Sequence, residues 1–175
     1  PILDKDDEIV EYMSMRHDLT ELIELHHEIN ETQKEIIYKM GEIGETRSSE
    51  TGNHVKRVAQ YTKLLALYYG LPEKEAEMLK QASPMHDIGK IGIPKHILCK
   101  KSYLTAEERK IIKQHPRIAV KIIQPIYFLK GTIPSILYHH ERFDGSGYPE
   151  KLRGNEIPLG AQIVAIVDVF QALIS

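Results

Sequence analysis

From residue 15 onward, apolar side chains return every seventh position: Met15, Leu22, Ile29, Ile36 and Ile43. Between them Leu19, His26, Gln33 and Met40 fall at alternating steps of three and four. Such steps keep residues on one side of an α-helix, so the spacing predicts an a/d seam on a long N-terminal helix. A coiled-coil homodimer follows as the expectation, with His26 and Gln33 giving up stability for register. The alternative is one long helix packed on its own domain. Gly41 and Gly44 are expected to weaken the helix before the next segment begins.

Beyond the seam the punctuation stays helical. Val55, Val58, Thr62, Leu65, Ala66 and Tyr69 keep helical spacing until "GLP" at 70–72 stops the run. A second helix is expected from Glu73 towards His86, then a loop carrying Gly89, Gly92 and Pro94. "TAEE" at 105–108 has the form of a capping box and opens a helix predicted to run past His115 until Pro125. A further helix leads to His139, and "ERFDGSGYPEKLRGNEIP" reads as a long loop rich in glycine and proline. Leu159 to Ile174 is apolar and helical. Alternating strand patterns are scarce, so the fold class is all-α: residues 1–45 form a linker or coiled-coil helix, and 46–175 a helical domain.

Composition narrows the class. A chain of 175 residues with 42% apolar content can bury one sizeable core. It opens on Pro1 and stops inside an apolar helical pattern, "VFQALIS", so it is expected to be a C-terminally incomplete piece of a longer protein. No uncharged stretch is long enough to span a bilayer and no signal-peptide pattern opens the chain. The single cysteine, Cys99, excludes an internal disulfide, fits a reducing cytoplasm and is expected to be a plain packing residue. The net charge of −2 conceals a division: residues 1–50 carry 14 acids against 5 bases, whereas residues 90–117 carry 8 bases against 2 acids. The basic segment suits an anionic ligand, though a solvated helical face would look the same. No basic stripe is interleaved with aromatics, which argues against extended nucleic acid.

The chemistry gathers at helix ends. His86 and Asp87 close one helix, directly before Gly89 and Lys90; His139 and His140 close another; His115 and Asp168 lie in two more; and His54 sits four residues after Glu50, on the same helical face. Imidazoles and carboxylates without a thiolate argue against a structural zinc cluster and suit iron or manganese, with a zinc or nickel ion as the alternative. His17-Asp18 and His26-His27 are similar dipeptides, but they lie in the acidic N-terminal segment without an apolar flank or a glycine loop, and His96 joins them as an ordinary surface residue.

In their order and approximate spacing, "ETGNHVKRV", "HDIGKIGIP", "KQHP", "HHERFDGSGYP" and "IPLGAQIVAIVDVF" resemble the HD-GYP family, a branch of the HD metal-dependent phosphohydrolases. The resemblance covers roughly residues 45–173. It implies an all-helical domain with two or three divalent ions, usually iron or manganese, that hydrolyses cyclic di-GMP to pGpG or GMP by attack of a metal-activated hydroxide. It implies metal ligands at His54, His86, Asp87, His115, His139, His140 and Asp168, with Asp87 as the bridge and Glu50 as the extra carboxylate of trinuclear members. Lys90 would meet a phosphate oxygen, with Arg142 and Tyr148 shaping the substrate loop. An upstream sensor or receiver domain is also implied.

Three departures bear on this expectation. The chain stops before a segment that in the family supplies basic substrate contacts; Gln171 stands where an aspartate is common; and "CKKSYLT" at 99–105 replaces a common Lys-Pro-Gly turn. None falls on a proposed ligand. Two other functions remain open: hydrolysis of another cyclic dinucleotide, or a slow, metal-bound regulatory module that dimerises and binds partners through its glycine loop.

Overall fold

The computed structural model describes residues 1–12, 17–45 and 52–174. Backbone contacts divide the chain into two compact units, Pro1–Gln33 and Lys34–Ser175. In the first, strand β1 (Ile2–Leu3) pairs antiparallel with β2 (Ile9–Glu11), a ribbon the hydrophobic pattern did not predict. The Asp4 carboxylate forms its turn by accepting the N–H groups of Asp6 and Glu8 at 2.8 and 3.1 Å. Apart from this ribbon, the regular structure described is helical.

Helix α1 (Thr20–Glu45) begins where the Asp18 carboxylate accepts the Thr20 N–H at 2.9 Å. His17 and Asp18 are thus exposed residues just before a helix, not residues on one. Four seam positions are open to solvent: Leu22 is 61% exposed, Ile29 47%, Ile36 52% and Ile43 51%. Met15, the first of the series, lies outside the described residues. In the second unit the other side of α1 is buried, with Ile37 in the core beside Met85, Ile88, Ile123 and Ile136, and Met40 packed against it.

Gly41 and Gly44 do not interrupt this helix, which runs through both to Glu45. A Cβ on Gly41 would lie 2.7 Å from the Pro84 carbonyl oxygen, and one on Gly44 3.0 Å from Ile88 Cα. The missing side chains let α1 lie directly on the segment that carries His86 and Asp87.

Helix α2 (Gly52–Tyr69) stops as its sequence predicts. Gly70 takes φ +98°, its N–H bonds to Leu67 O, and the Leu71 N–H reaches back to Ala66 O at 3.0 Å. That left-handed residue and the six-to-one bond form a Schellman-type stop. Helix α3 (Glu73–Ala82) gives way to a 3-10 turn at Ser83–Met85, and a second 3-10 stretch covers Ile88–Gly92. After the short α4 (Lys95–Leu98) comes α5 (Ala106–Ile112), opened by the expected capping box: Thr105 Oγ1 accepts the Glu108 N–H at 3.2 Å, and the Glu108 carboxylate accepts the Thr105 N–H at 2.8 Å.

The expected continuous helix through His115 is broken. It ends at Ile112, and α6 (His115–Ile123) starts afresh three residues later. Pro116 explains the break, because it has no N–H to offer the Ile112 carbonyl four residues back and its ring would collide with that oxygen. Helix α7 (Ile133–Leu137) precedes the His139-His140 turn, and α8 (Leu159–Ile174) closes the fold. Helix α2 packs against α3 and α8, α6 against the 3-10 stretch Ile88–Gly92, and α7 against α6 and α8. Cys99, expected to be a packing residue, is exposed. Among the described residues no helix is long and apolar enough to cross a membrane.

Candidate metal centre

Three histidines are oriented by one local device. His86 Nδ1 donates to Ser83 O at 2.6 Å, His115 Nδ1 to Ile112 O at 2.8 Å, and His139 Nδ1 to Ile136 O at 2.6 Å. Ile112 and Ile136 lie in the last turn of short helices, where carbonyls have no intrahelical partner, and Ser83 opens the 3-10 turn, its carbonyl also accepting the His86 N–H at 3.2 Å. Each histidine sits three residues on, where its ring can reach back. Pro116 thereby has a second effect, since the carbonyl it cannot use is the one that holds His115. With a proton on Nδ1, each Nε2 faces inward, a lone pair wherever the ring is neutral.

These lone pairs meet acceptors. Asp87 is 6% exposed; its Oδ1 lies 3.2 Å from His115 Nε2 and its Oδ2 3.3 Å from His86 Nε2. His86 Nε2 is also 3.6 Å from Asp168 Oδ1, and His115 Nε2 is 3.5 Å from His139 Nε2. His86 Nε2 and Asp87 Oδ1 are buried without a hydrogen-bond partner. Acceptors so crowded repel unless a proton or a metal cation lies among them. One ligand atom from each of Asp87, His115, His139 and His140 falls within 4.8 Å of the others, so this group can hold a metal ion. The donor set fits: imidazoles anchored through their second nitrogen, around a carboxylate with one oxygen towards each of two rings.

Protonation follows the same geometry. Burial raises the cost of charge on Asp87, but His86, His115 and Lys90 outweigh it and hold the carboxyl well below the usual range. Burial likewise opposes a charged His86, yet Asp87 and Asp168 pull its pKa well above the ordinary value. His139 is pushed well down by burial and by the neighbouring histidines, and His140 down to about 4 by burial and His115. Asp168 is lowered, with His86 overcoming the effect of burial.

Among the remaining expected site residues, His54 is buried near the start of α2 but is not one of the four clustered ligands. Glu50 lies outside the described residues. Lys90, expected to face a substrate phosphate, has its Nζ 2.6 Å from Asp87 Oδ2. Arg142 is exposed and lines, with His139, His140, Asp168 and Phe170, a cleft of about 440 Å³. The Tyr148 ring stacks on His140 at 4.7 Å and 28°, and Lys113 Nζ lies 5.1 Å from the Tyr148 centroid. Burial, reinforced by Asp87 and Asp168, pushes the Tyr148 phenol far above its ordinary pKa.

Two residues escaped the sequence reading. Glu141, directly after the histidine pair, is a buried carboxylate; its position between a double histidine and a glycine loop was the available signal. Arg57 Nε donates to Gln171 Oε1 at 2.8 Å, one helical turn beyond His54 on α2 and Asp168 on α8. A neutral acceptor therefore takes the place in which an aspartate was expected.

An all-α domain with histidines and an aspartate turned onto one buried, cation-competent centre defines the class. A family model described as "HD domain" matches residues 19–175, and the chain belongs to that family. The protein named 3'3'-cGAMP-specific phosphodiesterase 2 of Vibrio cholerae is 45% identical over 155 residues, covering 87% of this chain and 30% of the relative. A cyclic di-GMP phosphodiesterase of Thermotoga maritima is 42% identical over 145 residues, covering 81% and 39%. The cyclic di-GMP phosphodiesterase response regulator RpfG of Xanthomonas campestris is 40% identical over 152 residues, covering 85% and 40%. The chain thus spans between 30% and 40% of the length of these relatives.

Proposed function

We propose that this chain is the catalytic part of a metal-dependent phosphodiesterase that hydrolyses cyclic di-GMP to pGpG or GMP. The observation that carries the reading is the set of three carbonyl-anchored imidazoles around buried Asp87, with His86 and His115 each presenting Nε2 to one of its oxygens and His139 Nε2 3.5 Å from that of His115. The printed names of the Thermotoga and Xanthomonas relatives support the substrate. His54, His86, Asp87, His115, His139, His140 and Asp168 would hold two ions, iron or manganese, with Glu50 available for a third. Bound there, such ions supply Lewis acidity towards the phosphoryl oxygens and lower the pKa of the attacking water.

The chain's own groups do the rest. Asp87 stays ionised at neutral pH because His86, His115 and Lys90 outweigh its burial, so it remains a bridging acceptor. His139 and His140 remain neutral donors of electron pairs for the same pH range. Lys90 brings an ammonium to the edge of the cluster, where the transition state gathers negative charge. Tyr148 keeps its phenolic proton, held by burial and the nearby carboxylates, and can donate it in a hydrogen bond to a phosphoryl oxygen. Arg142, in the adjoining cleft, offers a second cation to a ligand that carries two phosphates.

The domain division is proposed as a helical linker over 1–45 and the catalytic domain over 46–175. The exposed a-series of α1 supports homodimerisation through that helix, with a sensor or receiver domain upstream and a cytoplasmic location. A second reading, hydrolysis of a mixed cyclic dinucleotide, is favoured by the name of the 45% identical Vibrio relative. Incubating iron-loaded or manganese-loaded protein with cyclic di-GMP and with 3'3'-cGAMP, then resolving the products, tests both. Faster release of pGpG or GMP from cyclic di-GMP is expected. Both nucleotides surviving intact on metal-replete protein would defeat the enzymatic reading and favour a regulatory module.

A further inference from the structure

Glu141 follows the histidine pair, and its side chain is spent on a different task from theirs. It is 6% exposed, and its carboxylate accepts three consecutive backbone N–H groups: Glu150 at 2.6 Å, Lys151 at 3.0 Å and Leu152 at 3.1 Å. Three successive amides converge in this way only if the backbone turns through a left-handed residue, and Lys151 has φ +60°. Lysine takes that conformation at a cost, so something must hold it there. A buried carboxylate likewise needs its donors. Each supplies what the other lacks.

The loop between these points lies flat on the histidine turn. The Tyr148 N–H donates to His140 O at 3.2 Å, and a Cβ on Gly147 would fall 2.4 Å from Arg142 N and 2.5 Å from Glu141 Cα. No side chain larger than hydrogen fits beneath it. The Tyr148 ring is thereby delivered onto His140, stacked at 4.7 Å. A side-chain tie on this loop, Arg117 to Glu150 at 2.6 Å, joins two side chains that are 47% and 44% exposed, so solvent screens it.

We infer that Glu141 is a positioning residue, a buried anionic clamp on the 150–152 amides that fixes the glycine loop and so presents Tyr148 to the cyclic dinucleotide substrate. The inference rests on the function proposed above for its substrate, but not for its mechanics. It assigns Glu141 no contact with metal or with the reacting atoms. Its effect must therefore pass through Tyr148 and appear in substrate affinity.

The test compares Glu141→Gln, Tyr148→Ala and the double variant with the parent protein, measuring metal per chain, amide exchange, KM and kcat. Glu141→Gln keeps the shape but replaces one accepting oxygen with an NH₂ group that faces the amides. The expected result is unchanged metal content, faster exchange at 150–152, and a KM raised about tenfold with kcat within about threefold. In the Tyr148→Ala background the same substitution should add nothing. Loss of metal, an unchanged KM despite faster exchange, or fully additive effects would each overturn the inference. If Glu141→Gln does not fold, exchange in the parent protein decides: amides 150–152 must be protected, and exchange as fast as in the 100–103 loop refutes the clamp. A parent protein that hydrolyses no cyclic dinucleotide would defeat the proposed function instead, leaving the exchange result to judge the clamp.

Discussion

Gly89→Ala is the smallest change that should dismantle the centre without touching a ligand. A Cβ built on Gly89 lies 1.9 Å from the His115 carbonyl oxygen, 2.7 Å from Ala119 N and 2.8 Å from His115 C. All three are backbone atoms of α6, so no rotamer change relieves the overlap. Restoring ordinary contact requires a displacement of about 1.5 Å. Asp87 is two residues away on the same tight turn, and its Oδ1 is 3.2 Å from His115 Nε2. Metal–ligand distances tolerate only about 0.2 Å. A shift several times larger would carry Asp87 out of reach of a cation shared with His115.

Overpacking of this kind costs about 1–3 kcal/mol, and contacts that are all backbone atoms of α6 put Gly89 at the upper end. In a chain of this size the melting temperature should fall by roughly 6–12 °C. Metal per chain, by elemental analysis, should fall below half the parent value, and added manganese should stabilise the variant less than the parent. Gly131→Ala is the control, since its Cβ meets nothing closer than Met78 Cε at 3.5 Å and should leave both quantities unchanged. If Gly89→Ala binds a full complement of metal and melts within about 2 °C of the parent, the close approach of this turn to α6 does not hold Asp87 in place.

Three further outcomes are expected. Asp87→Ala removes the carboxylate between His86 and His115 and should lower metal content and turnover together; unchanged metal stoichiometry would refute its bridging role. Ile29→Lys places a charge on the exposed seam of α1 and should shift the sedimentation profile towards monomer, while an unaffected profile would count against pairing through that helix. In chelator-treated protein, His139 and His140 have folded pKa values below that of unfolded histidine, so the unfolded chain binds protons first as pH falls. Stability should therefore drop as pH falls from about 6.5 to about 4, by on the order of 3 kcal/mol from His140; urea denaturation equally resistant at pH 7 and pH 4.5 would contradict this.

Local punctuation was legible in the sequence because its chemistry is local. "GLP" stops α2 through one left-handed glycine, and Thr105 with Glu108 caps α5, each within a few residues of chain. The centre was legible as a set of ligand types at helix ends, which is how Asp87, His115, His139 and His140 were expected together. What failed was long-range. Gly41 and Gly44 look like helix breakers until Pro84 and Ile88 are seen lying against them. Glu141 resembles any polar loop residue until three amides from nine to eleven positions away converge on it. The ribbon at Ile2–Leu3 and Ile9–Glu11 is too short to produce an alternating pattern.

Short helices make this centre possible. Helices α5 and α7 have seven and five residues, too few to be stable alone, and each is held by packing rather than by propensity. A longer helix would consume the carbonyls that here accept from His115 and His139 Nδ1. Ending early leaves those oxygens free at the point where a histidine three residues on can use them. Pro116 enforces the ending for α5, and the turn at Tyr138 does the same for α7. If that reasoning holds, Pro116→Ala should not behave as a benign helix-favouring change. It would let the Ile112 carbonyl return to a backbone N–H, release His115 Nδ1, and weaken metal binding even as local helicity rises.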